Sequence, residues 1–86
     1  MKLKIKCQYY EFLDGIKISV FSNDHVPPHV HASIGEHEVL IDIQKVLVII
    51  GSLPKSQLRK VLSYVVLNQD DLLKEFFNLN PTVKKL

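Results

Sequence analysis

The pattern of hydrophobic and polar positions changes its period once along the chain, near Gly51. Before this glycine, apolar and polar residues tend to alternate, which is typical of strands with one buried face. After it, apolar residues recur at spacings of three and four, as in a helix that packs on a sheet. The pattern therefore predicts an α+β fold: a mainly antiparallel sheet of four to five strands, with one long bent helix or two consecutive helices packed on one face.

The first part of the sheet is predicted to be an N-terminal hairpin over residues 2–21. Asp14 and Gly15 lie between apolar flanks and form the strongest hairpin signal in the sequence. With these two residues at the centre of the turn, Glu11 falls on the same face as Ile16. A carboxylate fits an apolar face badly, so we expect a bulge or a longer loop in the first arm.

A second hairpin is predicted around Gly35 and Glu36, between strands that start near His29 and end near Ile43. With this turn at the centre, His29 opposes Asp42, and apolar residues oppose apolar residues along both strands. A shift of one residue would move every side chain to the wrong face, so the agreement favours this register.

Residues 46–50 form an all-apolar run rich in β-branched side chains, and the sheet is predicted to extend over residues 29–50. Such a run favours a strand that is central in the sheet or covered on both faces. A two-residue turn at Gln44 and Lys45 would place three apolar side chains on the sheet face that also carries His29 and His31. These are Leu40, Leu47 and Ile49.

A helical segment is predicted over residues 53–78, followed by a loose basic tail over residues 79–86. Ser52 is a candidate N-cap, and Pro54 suits the first turn of a helix. Asn68 interrupts the apolar stripe and is a candidate cap for a second helix, so one bent helix and two consecutive helices both remain open. The residues predicted to face the sheet are Leu58, Val61, Leu62, Val65, Leu72 and Phe76.

The composition predicts a single folded domain over residues 1–86, with 47% hydrophobic and 23% charged residues. A formal net charge of +2 neither requires nor excludes a nucleic-acid partner, but it excludes an overwhelmingly basic binder. Cys7 is the single cysteine, so no internal disulfide can form, and a cytoplasmic location is expected. No apolar run approaches the length of a membrane span, and no membrane association is expected.

The most unusual segment is a turn rich in histidine and proline, residues 22–31, which holds three of the four histidines. Pro27 and Pro28 exclude a helix here, so the segment is predicted to be an extended turn that leads into a strand. His29 and His31 are two positions apart and therefore point to the same face of that strand.

One interpretation of these histidines is a divalent metal site, the single cofactor that the pattern suggests in a chain otherwise expected to carry none. Imidazole and carboxylate groups are ligands that zinc and similar ions accept. The candidate ligands are His25, His29, His31 and Asp42.

A second interpretation is acid–base catalysis, in which His25, His29 or His31 acts as the base and Asp24 or Asp42 orients it. These residue types would suffice for a metal-assisted hydrolase that cleaves phosphodiesters, as a nuclease does. The sequence has no glycine-rich phosphate loop and no nucleophile elbow, so it leans away from an enzyme.

A third interpretation is a binding module. The face that carries Leu40, Leu47 and Ile49 is half apolar and needs a cover, which the N-terminal hairpin, a second copy of the chain or a different protein partner could supply. A row of lysines near the N-terminus either protects an edge strand from aggregation or forms a patch for nucleic acid or an acidic partner. The lysines are Lys2, Lys4 and Lys6.

A fourth interpretation gives the histidine and proline segment no binding role. Asn23 and Asp24 have side chains that commonly accept hydrogen bonds from nearby backbone amides. The motif would then serve only to hold the turn in place.

The string Asn23, Asp24, His25, Pro27, Pro28, His29 and His31, followed later by Gly51 and Pro54, resembles a small bacterial family. That family is catalogued as a domain of unknown function, numbered four-one-six-zero, and the resemblance spans residues 14–77. It implies a compact α+β domain and a candidate member of toxin–antitoxin-like pairs, with no established catalytic residues. We therefore interpret the chain as a small bacterial regulatory or interaction domain, with a metal-assisted hydrolase as the alternative.

Overall fold

The computed structural model describes residues 9–21 and 26–81. Within these residues, five strands are followed by two helices, which confirms the predicted α+β fold and selects two consecutive helices over one bent helix. In chain order the elements are β1 Tyr9–Leu13, β2 Ile16–Val20, β3 His29–Ile34, β4 His37–Asp42, β5 Leu47–Gly51, α1 Lys55–Leu67 and α2 Gln69–Leu79.

Several predictions fall on residues outside the described part of the chain. These are residues 2–8 of the predicted N-terminal hairpin with Lys2, Lys4 and Lys6, the residues Asn23, Asp24 and His25 of the turn, and residues 82–86 of the tail.

The strands form one antiparallel sheet in the order β1-β2-β3-β4-β5, so each strand pairs with its neighbour in sequence. Asp14 and Gly15 make the predicted two-residue turn, both with positive φ, as this hairpin type requires. The β1–β2 register is regular, with Glu11 opposite Ile18.

The bulge expected in the first arm was therefore a wrong prediction, and the reason lies in the contacts of Glu11. This residue is on the helix-facing side of the sheet, but β1 is an edge strand and the side chain is exposed. Its carboxylate accepts a hydrogen bond from the hydroxyl of Tyr64 on α1. A polar group at the rim of the core is thus satisfied without any change of register.

The second hairpin has the predicted register, with His29 opposite Asp42 and Ala32 opposite Val39. Gly35 takes a positive φ of 58° in the turn. Glycine is suited to this conformation because it has no Cβ.

The apolar strand β5 contradicts its prediction, since it is an edge strand and all five of its residues are exposed. Its pairing begins with Leu47 opposite Asp42, as a turn at Gln44 and Lys45 predicts, although the turn itself spans residues 43–46. Ile50 then stands opposite Leu40, and the register shifts between Leu40 and Ile41. Ile49 is the extra residue of this bulge.

The helices cover the sheet from one side and leave β5 outside the core. Lys60 of α1 contacts Asp14 at 3.1 Å, and Tyr64 contacts Glu11, so α1 reaches the opposite edge of the sheet. The chain path after β5 therefore decides which strands are covered. The buried apolar residues of the core are Ile16, Ile18, Val20, Val30, Ala32, Val39, Ile41, Ile43, Leu53, Val61, Val65, Leu72 and Phe76.

The predicted helix face is confirmed: Val61, Val65, Leu72 and Phe76 are buried, and Leu58 and Leu62 are partly buried against them. The predicted cap at Ser52 was wrong. Pro54 holds the N-cap position of α1 without a side-chain cap bond, and the Ser52 amide donates to the Glu38 carbonyl at 3.1 Å. Ser52 therefore continues the β4–β5 pairing.

Asn68 separates the two helices. Its backbone amide donates to the carbonyls of Tyr64 and Val65, and its side-chain amide donates to the Tyr64 carbonyl at 2.9 Å. Asn68 therefore closes the end of α1, and its side chain makes no capping bond to α2.

No helix in the described residues is long and apolar enough to cross a membrane.

The second helix crosses the end of the sheet where β2 and β4 finish. Near its start, the Gln69 side chain donates to the carbonyls of Ile43 and Gln44 at 2.8 and 3.0 Å. After its end, the Asn80 side chain donates to the Phe21 carbonyl at 2.9 Å. These bonds hold α2 above the first residues of β3, where the histidines begin.

Candidate interaction surface

His29 is packed into the end of the sheet beneath α2. Its side chain is buried, and its ring centroid lies 5.8 Å from that of Phe76. The Nδ1 atom is 2.7 Å from the Pro27 carbonyl oxygen. A carbonyl can only accept, so Nδ1 donates the hydrogen, and the proline turn fixes the orientation of this imidazole.

His31 is the next histidine on the same strand face, with its ring centroid 5.1 Å from that of His29. Its ring meets the Phe21 ring edge to face at 4.6 Å. On the other side, Nδ1 lies 3.4 Å from a carboxylate oxygen of Glu38, across the β3–β4 pair. The contact becomes an ion pair when His31 is protonated.

Asp42 has a structural role that sequence reasoning missed. It is buried and stands opposite His29. Its Oδ1 atom accepts hydrogen bonds from the backbone amides of Gln44 and Lys45, both at 2.9 Å. An aspartate two or three residues before backbone amides in a turn is the usual signal for this arrangement. Asp42 therefore holds the β4–β5 turn.

The predicted metal and acid–base residues are only partly brought together. His29, His31 and Asp42 are neighbours on one face, whereas His25 and Asp24 lie outside the described residues. In the part of the chain that the structure describes, no group of three or more His, Cys, Asp or Glu side chains could hold a metal ion. The metal site and the hydrolase built on it stay predictions.

One edge of the sheet near these residues is apolar and uncovered. We call Leu47, Val48, Ile49 and Ile50 the β5 edge. Their side chains are 59%, 41%, 46% and 62% exposed. Val48 stands opposite the core residue Ile41 and so faces the helix side, while Leu47 and Ile50 stand opposite Asp42 and Leu40 on the histidine side.

The predicted partner-binding residues Leu40 and Leu47 both lie on this histidine side of the sheet, as the predicted register requires. Ile49 differs, because it occupies the bulge, and Ile50 takes the place opposite Leu40. Sequence reasoning missed Ile50, since an unbroken aliphatic run carries no signal for the position of a bulge.

The other edge strand carries exposed aromatic residues. Tyr10 and Phe12 are 52% and 65% exposed, and their rings meet edge to face at 6.1 Å. The Lys17 ammonium group lies 4.9 Å from the centroid of the Tyr10 ring, a cation–π contact. Both edges of the sheet thus expose large apolar side chains, but only β5 does so without a neighbouring charge in its own sequence.

Taken together, these observations define a small α+β domain in which a meandering antiparallel sheet is covered by helices on one face and has an uncovered aliphatic edge. The family model described as "Domain of unknown function (DUF4160)" matches residues 15–76, from β2 into α2. The chain belongs to this family. No match was found among curated proteins or among solved structures.

Proposed function

We propose that this domain is a protein-interaction module that binds a polypeptide by adding a strand to the β5 edge. One observation carries the proposal: four consecutive aliphatic residues on an edge strand are each 41–62% exposed. Natural proteins usually protect such edges with lysine, proline or a covering element, because an open strand pairs with other chains. Leu47–Gly51 contains neither a charged residue nor proline.

Strand addition suits this edge for a physical reason. The outer side of an edge strand presents backbone donors and acceptors, which supply affinity, while alternate side chains supply specificity. Val48 would contact the partner on the helix side, and Leu47 and Ile50 would contact it on the histidine side. The expected partner segment is therefore extended, aliphatic and uncharged.

In this proposal the domain is regulatory, because a strand-addition surface changes what its partner can do without any chemistry of its own. The family resemblance favours a partner from a bacterial toxin–antitoxin-like pair. The single cysteine favours a reducing compartment, and we place the function in the cytoplasm.

Site-specific photo-crosslinking in cells tests the proposal. A photoreactive amino acid replaces Ile50 in one variant and Phe12 in a matched control. Both side chains are more than half exposed, but they lie on opposite edges of the sheet. We expect a covalent adduct of one defined mass from position 50 and not from position 12.

The adduct would then be identified by mass spectrometry and its formation repeated with purified components. Adducts of the same masses from both positions, or none from position 50, would contradict the proposal. An adduct confined to position 12 would move the binding surface to β1.

A further inference from the structure

We infer that a groove along α1 binds an acidic peptide segment of a partner protein, in addition to the strand that we propose for the β5 edge. The groove lies between α1 and β1, at the opposite edge of the sheet, and its volume is about 530 Å³. We call it the α1 groove. Leu13 of β1 forms one wall. The lining residues on α1 are Ser56, Arg59, Lys60, Ser63, Tyr64 and Leu67.

The α1 groove is elongated because its residues follow one flank of the helix. Their positions recur at spacings of three and four, so they lie on one side of α1. A rise of about 1.5 Å per residue gives a length of roughly 16 Å from Ser56 to Leu67. This length matches an extended peptide of about five residues. The groove therefore suits a segment of polypeptide better than a compact small molecule.

One end of the α1 groove is apolar. Leu67 is 82% exposed, the highest value for a large apolar side chain in the described residues. Leu13, on the facing wall, is only partly buried against the core. The methylene groups of Arg59 and Lys60 add further apolar surface. An aliphatic side chain of the partner would displace water from this surface, and such burial is the main favourable term in most protein–protein association.

The other end of the α1 groove is positively charged. Arg59 and Lys60 line it, and α1 contains no acidic residue. Lys60 is already paired with Asp14 at 3.1 Å. Within residues 9–21 and 26–81, no carboxylate pairs with Arg59. A guanidinium group binds a carboxylate through two parallel hydrogen bonds, so Arg59 is the expected contact for an acidic side chain.

The combination of one unpaired cation and an apolar surface selects the class of partner. A nucleic acid requires several cations along its phosphates, whereas Arg59 is the one cation among the described lining residues that is not already paired with a carboxylate. Residues 1–8 and 82–86 of this chain contain lysines and no acidic side chain, so their charge does not complement Arg59. An acidic, aliphatic segment of another protein complements both ends of the groove.

The distance between the two ends predicts a spacing in the partner. Arg59 and Leu67 are eight positions apart, which corresponds to about 12 Å along the helix axis. In an extended segment, about 12 Å separates residues that are three or four positions apart. We therefore expect the partner segment to carry an aspartate or glutamate three or four positions from a large apolar residue.

Selection from a phage-displayed library of random peptides tests this inference. The baits are the whole chain, Arg59→Glu and the control Lys45→Glu. The two variants make the same change of charge at exposed positions, but Lys45 lies in the β4–β5 turn. We expect the unmodified chain and Lys45→Glu to select acidic, aliphatic peptides with the predicted spacing, and Arg59→Glu to select none of them.

One selected peptide is then synthesised and titrated with each protein, with fluorescence anisotropy as the readout. Arg59→Glu should weaken the affinity at least about tenfold, because a carboxylate would then face the carboxylate of the peptide. Lys45→Glu should change the affinity by less than about twofold, since solvent screens distant surface charges. Added salt should weaken the binding to the unmodified chain, because the contact with Arg59 is at the surface.

A second variant keeps the test valid if Arg59→Glu does not fold. Leu67→Ser changes a helix position that is 82% exposed, should retain the circular dichroism spectrum, and should also weaken the affinity for the peptide. Selection of basic peptides, or no enrichment at all, overturns the inference. Equal weakening by Lys45→Glu overturns it too, as does binding that neither Arg59→Glu nor Leu67→Ser weakens.

The variant Ile50→Lys separates this site from the β5 edge. It should leave the affinity for the acidic peptide unchanged, because Ile50 lies at the edge of the sheet that is farther from the α1 groove. If Ile50→Lys weakens the binding as much as Arg59→Glu does, the peptide does not bind in the α1 groove and the inference is wrong.

Discussion

The strands β1 and β5 occupy equivalent places at the two edges of the sheet, yet they differ in their contacts with the helices. β1 contains a glutamate, and this residue is bonded to α1 through Tyr64. The adjoining turn is also tied to α1, through the ion pair between Asp14 and Lys60. β5 is aliphatic throughout, and its side chains are exposed.

This difference shows that a hydrophobic strand is not necessarily covered by the helices. A strand is covered when the following chain passes over it. Here the chain leaves β5 through residues 52–54 and α1 then leans towards β1. The β5 edge is therefore left uncovered by the helices, while β1 is tied to α1 through Glu11.

The largest effect should come from removing a core side chain next to β5. Ile41 is fully buried and pairs with Val48, so Ile41→Ala should lower the free energy of unfolding by about 2–5 kcal/mol. Ile50→Ala removes an exposed side chain and should cost about 0.5 kcal/mol or less. Urea denaturation at low protein concentration measures both, and similar losses would show that β5 is covered after all.

A smaller loss is expected where β5 meets β4 at its end. Gly51 has a φ of 85°, and a Cβ there would lie 2.2 Å from the Glu38 carbonyl oxygen. Strain and overpacking together should cost about 2–4 kcal/mol in Gly51→Ala. Gly15→Ala is the control, because its φ is 82° with no atom within 4 Å, and it should cost about 1–2 kcal/mol. Equal losses would mean that β4 and β5 separate freely at this point.

The bond that ties β1 to the helix should be worth less. Tyr64→Phe removes the hydroxyl that donates to Glu11 and should lower the free energy of unfolding by about 1 kcal/mol. The control is Tyr10→Phe, at a position of β1 that faces the side opposite to Glu11. This variant keeps the ring beside Lys17 and should change the free energy of unfolding by less than about 0.5 kcal/mol. If both variants have the same free energy of unfolding as the unmodified chain, the bond between Tyr64 and Glu11 does not stabilise β1.

The smallest effect is expected from added metal. In the described residues no group of three or more His, Cys, Asp or Glu side chains could hold a metal ion, and Asp42 Oδ1 already accepts two amide hydrogen bonds in the β4–β5 turn, so Zn²⁺ should leave the Tm unchanged. A rise in Tm that disappears in the His29→Ala, His31→Ala double variant would support the predicted metal site.

The sequence predicted the local structure of the sheet well, because side-chain alternation and turn chemistry are local signals. The turns at Asp14 and Gly35, the pairing of His29 with Asp42 and the buried face of the helices all follow from such signals. The position of β5 did not follow. An apolar run records a preference for burial, but the strand order and the path of α1 decide whether burial occurs within one chain.

Contacts between distant residues were also beyond sequence reasoning. Glu11 and Tyr64 are 53 positions apart, and no spacing rule relates a strand residue to a helix residue at such a distance. The role of Asp42 in the turn could be predicted from the sequence, since its hydrogen bonds to the turn amides are local. Its position opposite His29 instead suggests a candidate metal ligand or a carboxylate that orients the histidine.

The strand order has a consequence for synthesis on the ribosome. Each strand pairs with the one made before it, so the sheet can form while the chain is still being made. The helices that cover it come last, and Phe76 is among the final residues of the core. At about 5–20 residues per second, the aliphatic side of a nascent sheet would stay open to water for several seconds. During that interval the core face of the sheet would be accessible to chaperones.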